Sequence, residues 1–116
     1  MLLLFFIQYN IYDKICDHII EIITHDFDPL TKEKLHKIKD ISHDILKYNL
    51  SISLFLRTLL EKCLINNRWI ADIKYKIVAL IADYDIKIRY SYRTMIYLES
   101  LFVDLYYISF AHYKIN

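Results

Sequence analysis

The stretch IADIKYKIVALIADYDIKIRY, residues 70–90, decides the fold class of this chain. Its apolar residues recur at steps of three and four, and acidic and basic residues fill the positions between them. This spacing predicts an amphipathic α-helix over residues 71–89. The next stretch, SYRTMIYLESLFVDLYYISF at residues 91–110, is mostly apolar and aromatic. It predicts a second helix that packs against the first.

The rest of the sequence has the same helical period, so we predict an all-α fold: a single, bundle-like domain of five helices. The predicted helices cover residues 10–25, 29–47, 51–65, 71–89 and 92–110. Asp28 is the predicted N-cap of the second helix and Pro29 its first residue, where a missing N–H does no harm. The second, third and fifth helices are predicted to bury Leu35, Ile38, Ile41, Ile45, Leu46, Phe55, Leu56, Leu59, Leu60, Cys63, Leu64, Met95, Leu98, Leu101, Phe102 and Leu105.

The whole chain, residues 1–116, is predicted to form this one domain, with its body over about residues 12–110. We interpret residues 1–10 as an apolar N-terminal segment left by a truncated reading frame. Its unbroken apolar run, residues 2–7, is far shorter than the ~20 residues of a membrane-spanning helix. We therefore expect no membrane association.

The composition excludes several classes of enzyme. The chain has no glycine, so it cannot contain a GxxxxGK[ST] phosphate loop, a GxGxxG dinucleotide motif or a GxSxG nucleophile turn. The formal net charge of +1 gives no overall attraction to nucleic acid. A local group of basic and aromatic residues is interrupted by acidic ones, so we expect contact with DNA to be indirect at most. That group consists of Lys34, Lys37, Lys39, Lys47 and Tyr48.

The sequence shows no set of residues that predicts catalysis or metal binding. Two histidine pairs share helix faces, His18 with His25 and His36 with His43, but neither has an evident third ligand. Of the two acidic pairs, Asp26 and Asp28 lie in the predicted break between two helices. Asp83 and Asp85 are two residues apart on a helix, so their carboxylates diverge. We therefore predict no enzymatic activity, no cofactor, no metal and no small-molecule ligand.

The two cysteines, Cys16 and Cys63, lie far apart in apolar helical patterns and form no CxxC pair. This usage favours reduced thiols and an intracellular location. The abundance of residues with AT-rich codons favours an AT-rich genome, and a viral source is one form of that interpretation. The expected location is then the nucleus or a viral replication site.

The stretch LLEKCLINNRWIADIKYKIVALIADYDIKIRY, with LESLFVDL after it, resembles a known family. It is similar to the C-terminal collar domain of replication factor C small subunits, which belong to the sliding-clamp loader. The matching residues are Leu59, Leu60, Ile70, Asp72, Lys74, Lys76, Ile77, Ile81, Ala82, Asp85, Arg89, Leu98, Glu99 and Leu101. The chain departs from the family where it has RYSY and KYNL in place of glycine-containing turns. It also lacks the AAA+ ATPase module.

The resemblance implies a scaffold and oligomerisation domain that serves DNA replication. Its partners would be other clamp-loader subunits, and any ATPase activity would belong to the missing module or to those subunits. The last two helices would bury one face in the chain and offer the rest to neighbours. The predicted interface residues, all on the fifth helix, are Tyr97, Leu98, Leu101, Phe102, Leu105 and Tyr106.

A second interpretation comes from a different functional class. A small viral helical protein, similar to the Bcl-2-like immune modulators, would bind an amphipathic helix of a host partner in a hydrophobic groove. The small size and the amphipathic helices fit this interpretation. Against it, the sequence has no BH-type motif, and it has few of the small residues that allow close helix approach.

Overall fold

The computed structural model describes the backbone of residues 2–25, 32–66 and 69–115. This part of the chain consists of five α-helices and contains no strand, which confirms the predicted all-α, bundle-like domain. The helices are α1 (Leu2–His25), α2 (Lys32–Lys47), α3 (Ile52–Ile65), α4 (Ala71–Arg89) and α5 (Thr94–Ile115).

Two helices, α1 and α5, differ by more than one residue from their predicted bounds within the described residues. α1 begins at Leu2 and not near residue 10, so the apolar N-terminal segment continues the first helix. α5 begins two residues later than predicted and extends to Ile115, five residues past the predicted end. α4 covers the predicted residues 71–89. The predicted cap at Asp28 and Pro29 lies outside the described residues.

Polar residues set the ends of α2 and α3. Ser51 is the N-cap of α3, and its side-chain oxygen accepts a hydrogen bond from the backbone N–H of Leu54 at 3.3 Å. Asn49, just after α2, has the left-handed conformation with φ 53°. α3 ends at the predicted residue, Ile65, and its C-cap Asn66 has an extended backbone with φ −77°.

The core lies between α5 and the other helices. α5 packs against α1, α2 and α4, while α3 packs against α1 and α4. The rings of Phe55 and Phe102 meet edge to face near the centre, with centroids 6.0 Å apart. Both side chains are 0% exposed. α3 and α5 are therefore joined through their aromatic side chains.

Three leucines that were predicted to be buried are exposed instead. Leu35, Leu46 and Leu64 are 41%, 38% and 42% exposed. In α2 the cause is a small rotation of the helix, which turns Lys34 inward in place of Leu35. The ammonium group of Lys34 lies 5.3 Å from the centre of the Tyr106 ring. This cation–π contact lets a basic residue occupy the first inward position of α2.

Polar contacts fasten α1 to α3. The hydroxyl oxygen of Tyr12 accepts a hydrogen bond from the backbone N–H of Ser51 at 2.6 Å. Near the other end of α3, the Lys62 ammonium lies 3.3 Å from an Asp13 oxygen and 2.9 Å from an Asp17 oxygen. The hydrogen bond to Asp17 is the main cause of the raised pKa of Lys62. These contacts fix the register of two helices that are distant in sequence.

Candidate functional site

The predicted interface residues on α5 lie mostly in the chain's own core. Leu98, Leu101, Phe102, Leu105 and Tyr106 are each at most 2% exposed. Tyr97 is half-buried. The placement of the first five at a partner interface is therefore corrected, because the fold encloses their side chains and leaves a partner no surface to contact. Contact between α5 and a partner stays a prediction, and it now concerns the residues that α5 exposes.

α5 has a second apolar stripe on the side that faces away from the core. Ile96 and Tyr107 are 57% and 55% exposed, and Val103 between them is half-buried. We call these three residues the α5 outer stripe. A groove of about 390 Å³ runs beside it, with Leu35 of α2 on the opposite wall. The leucine that α2 turns outward therefore extends this apolar surface.

α4 has a similar stripe, which we call the α4 outer stripe. It consists of Tyr75, Ala79, Ala82 and Ile86, at steps of four, three and four residues. Tyr75 is 74% exposed and Ile86 is 60% exposed, and both alanines are exposed as well. Such steps place all four side chains along one line of the helix. This stripe was not among the predicted surfaces, although its steps of four, three and four are present in residues 75–86.

Further exposed apolar side chains lie at the end of α3, at the N-cap of α4 and within α4. Leu64, Ile65 and Ile70 are 42%, 76% and 53% exposed, and Val78 is 36% exposed. Two shallow grooves between α3 and α4, of about 250 and 290 Å³, share Val78 in their lining. Exposed apolar side chains that line neighbouring grooves, as Leu64 and Val78 do here, mark interaction sites more often than isolated ones do.

Hydrogen bonds at the seam between α4 and α5 fix how the two outer stripes are oriented. The Tyr84 hydroxyl donates to an Asp104 carboxylate oxygen at 2.6 Å and lies 2.7 Å from the Ser100 hydroxyl. Burial raises the pKa of Tyr84, and the hydrogen bond to Asp104 raises it further. The Lys87 ammonium lies 4.9 Å from the centre of the same ring. α4 and α5 are thus held together by directional contacts as well as by apolar packing.

A separate groove lies between α1 and α2. Its volume is about 480 Å³, and its lining is mostly apolar. The lining residues are Ile11, Lys14, Ile15, His18, Ile41, Asp44 and Tyr48. The isoleucines form an apolar strip, and the charged side chains include both a base and an acid. An amphipathic helix is the kind of ligand that binds to such a surface.

Neither cysteine is placed for nucleophilic chemistry. Cys16 is 0% exposed and Cys63 is 1% exposed. Burial raises the pKa of both thiols, that of Cys63 to about 12. The Cys16 thiol donates a weak hydrogen bond to the Phe55 carbonyl oxygen at 3.8 Å. A nucleophilic cysteine needs access and a lowered pKa, so both residues act as parts of the core.

The other candidate polar groups are also dispersed. Asp83 and Asp85 each bind a base one turn later in α4, at 2.9 Å and 3.0 Å, and do not share a ligand position. Within the described side chains, no group of three or more His, Cys, Asp or Glu residues is arranged to hold a metal ion. His36 and His43 are exposed on α2, and the side chain of His25 is outside the described set.

No protein-family model, no curated protein and no solved structure matches this chain. Across the described residues, no helix combines the length and the apolar character that crossing a bilayer requires. Function is therefore inferred from the outer surfaces of the helices themselves.

Proposed function

We propose that this chain is a helical scaffold that binds other protein chains through the outer faces of α4 and α5. The observation that supports this most is the second apolar stripe on each of these helices. A helix that only covers a core needs one apolar face. Here α4 and α5 each have a second apolar face. Aromatic side chains such as Tyr75 and Tyr107 are enriched at protein interfaces.

In its most specific form, the scaffold is a collar-like domain that joins clamp-loader subunits during DNA replication. The sequence resemblance supports this form, since its matching residues lie on α3, α4 and α5 and, for Ile70, at the N-cap of α4. Catalysis would then belong to the partner subunits, and this chain would have no enzymatic activity of its own. Its place of action would be the nucleus or a viral replication site.

The test is to isolate the tagged full chain under mild conditions from the cells that express it. Stoichiometric partners are identified by mass spectrometry for the wild type, for an Ile96→Lys/Tyr107→Lys variant of the α5 outer stripe and for a Tyr75→Lys/Ile86→Lys variant of the α4 outer stripe. The proposal predicts clamp-loader subunits with the wild type and their loss with at least one of the two variants. Lys37→Glu, at an exposed position on α2, is the matched control and should retain them.

Two other outcomes have clear meanings. A stoichiometric partner of another kind that is lost with either variant would support the scaffold and overturn the clamp-loader form. If no partner depended on either outer stripe, the scaffold proposal itself would be overturned.

A second candidate function is the capture of an amphipathic helix in the groove between α1 and α2. The mostly apolar lining of this groove favours it. In this form the chain is a small viral protein that binds a host partner. Fluorescence polarisation with a labelled amphipathic helical peptide tests it. Binding that Ile15→Lys abolishes, in a variant that keeps its helical circular dichroism, would support it. No binding to any peptide with apolar residues at i, i+3, i+4 and i+7 would contradict it.

A further inference from the structure

We propose that two copies of this chain pair through their α4 helices, which lie antiparallel with one α4 outer stripe against the other. This deepens the proposed function, on which it rests, because it names a second copy of the chain as a partner of one of the two stripes. The pairing would make a symmetric dimer in which each copy uses the same surface.

The order of side chains along the α4 outer stripe is self-complementary. It reads large, small, small, large: Tyr75, Ala79, Ala82 and Ile86. If the twofold axis passes between the two alanines, Ala79 lies opposite Ala82 of the second copy, and Tyr75 lies opposite Ile86 of the second copy. The alanines let the two backbones approach closely at the centre. The large side chains then cover both ends of the contact.

The charges beside the stripe select the antiparallel direction. Two lysines flank its N-terminal half, Lys74 and Lys76, and two aspartates flank its C-terminal half, Asp83 and Asp85. In the antiparallel pair, Lys76 meets Asp83 of the second copy on one flank, and Lys74 meets Asp85 of the second copy on the other. A parallel pair would bring like charges together. Flanking charges set helix direction in this way in coiled coils.

The fold places the two lysines and the two aspartates on the flanks that this pairing requires. Lys74 and Asp85 each line a groove between α3 and α4, so both lie on the α3 side of the stripe. At 100° per residue, Lys76 and Asp83 fall on the opposite side. In antiparallel helices, equivalent flanks face each other, so each lysine meets an aspartate from its own side of the helix. Within α4, Asp83 pairs with Lys87 and Asp85 pairs with Arg89. Both ion pairs are exposed and therefore weak, so they compete little with the contacts to the second copy.

The surface around the stripe supplies the remaining contact area. A stable interface of standard size takes about 800 Å² from each partner, or about a tenth of this chain's accessible surface of 7891 Å². Ile70, which is 53% exposed, directly precedes α4, and Tyr90, which is 85% exposed, directly follows it. The antiparallel arrangement brings Tyr90 of the second copy toward Ile70. Apolar side chains thus extend the contact beyond α4 at both ends.

Sedimentation equilibrium of the purified full chain tests the pairing, at concentrations from about 1 to 100 µM, where weak dimers dissociate. We expect a monomer–dimer equilibrium for the wild type. Lys76→Asp and Asp83→Lys should each raise the dimer dissociation constant about tenfold or more, because each places like charges together twice by symmetry. The double variant should restore the wild-type constant. A mixture of the two single variants should form heterodimers more tightly than either variant alone forms dimers.

Two results would overturn the proposal. One is a wild-type chain that stays monomeric at every concentration. The other is a dimer whose dissociation constant is the same in the wild type and in both charge variants. Circular dichroism confirms that the variants, all changed at exposed positions, remain helical, and Tyr75→Ser should weaken the dimer without any change of charge. A monomeric chain that still binds another protein through its outer stripes would overturn only this inference. The scaffold proposal would then stand.

Discussion

Replacing Tyr84 by phenylalanine removes the hydroxyl group that joins α4 to α5 and leaves the ring in place. The hydroxyl donates to Asp104 at 2.6 Å and lies 2.7 Å from the hydroxyl of Ser100. The ring, 5% exposed, keeps its contacts with Lys87 and Tyr97. The substitution therefore tests the hydrogen bonds separately from the packing.

The expected loss of stability follows from the partner's charge. A hydrogen bond to a charged group contributes about 1.5–3 kcal/mol to the free energy of unfolding. Asp104 is half-buried, so water replaces part of the lost bond, and we expect a loss of about 1.5–2 kcal/mol. An unfolding entropy of about 2.1 cal/mol/K per residue over 116 residues gives about 0.24 kcal/mol/K. The melting temperature should then fall by about 6–8 °C.

Urea and thermal unfolding followed by circular dichroism measure both quantities. Tyr97→Phe is the matched control. It changes a half-buried tyrosine of the same ring pair, for whose hydroxyl the described residues offer no hydrogen-bond partner. Its cost should stay below about 0.5 kcal/mol, as for most substitutions away from a specific interaction. The reasoning is refuted if Tyr84→Phe is as stable as the wild type, or if the control costs as much as Tyr84→Phe.

The remaining predictions concern the core and the buried thiols. Leu98→Asp should abolish folding because it buries an unpaired charge. Ile96→Asp, two residues away at a position that is 57% exposed, should leave the circular dichroism spectrum unchanged. Equal effects of the two substitutions would show that the core side of α5 is wrongly assigned. Cys16 and Cys63 should react with iodoacetamide in denaturant but not in the native state, and fast native alkylation would contradict their burial. Stability should fall as the pH rises above about 9, because the pKa values of both thiols and of Tyr84 are raised in the folded chain and the unfolded chain therefore loses its protons first. A free energy of unfolding that stayed level to pH 11, measured with urea, would contradict this sign.

Sequence patterns were sufficient to predict where the helices lie, but not to predict which side of every helix is buried. α4 could be placed at 71–89 because its apolar residues have a clear period and charged residues separate them. α5 is apolar on nearly every side. Leu98, Leu101, Phe102 and Leu105 were predicted both for the core and for a partner interface, and the structure places all four in the core.

The inward position of Lys34, where Leu35 was predicted, shows a second limit of prediction from the sequence. A hydrophobicity pattern assigns the inward position to the leucine. The fold turns the lysine inward because the ring of Tyr106, on a helix distant in sequence, accepts its ammonium group. A contact between remote residues of this kind cannot be read from local spacing. The same holds for the Tyr12 hydroxyl, which accepts the N–H of Ser51 across 39 positions of the chain.

Site-specific photo-cross-linking tests the central claim, that the outer faces of α4 and α5 bind other protein chains, most directly. Benzoylphenylalanine would replace Tyr75 or Tyr107 in the full chain inside the cells that express it, with Lys37 as the exposed control position. The account predicts defined protein adducts from the two stripe positions, either with other subunits or with a second copy, and none from the control. If the stripe positions gave no adducts, or only those that the control also gives, the outer stripes would not be binding surfaces and the scaffold proposal would fail.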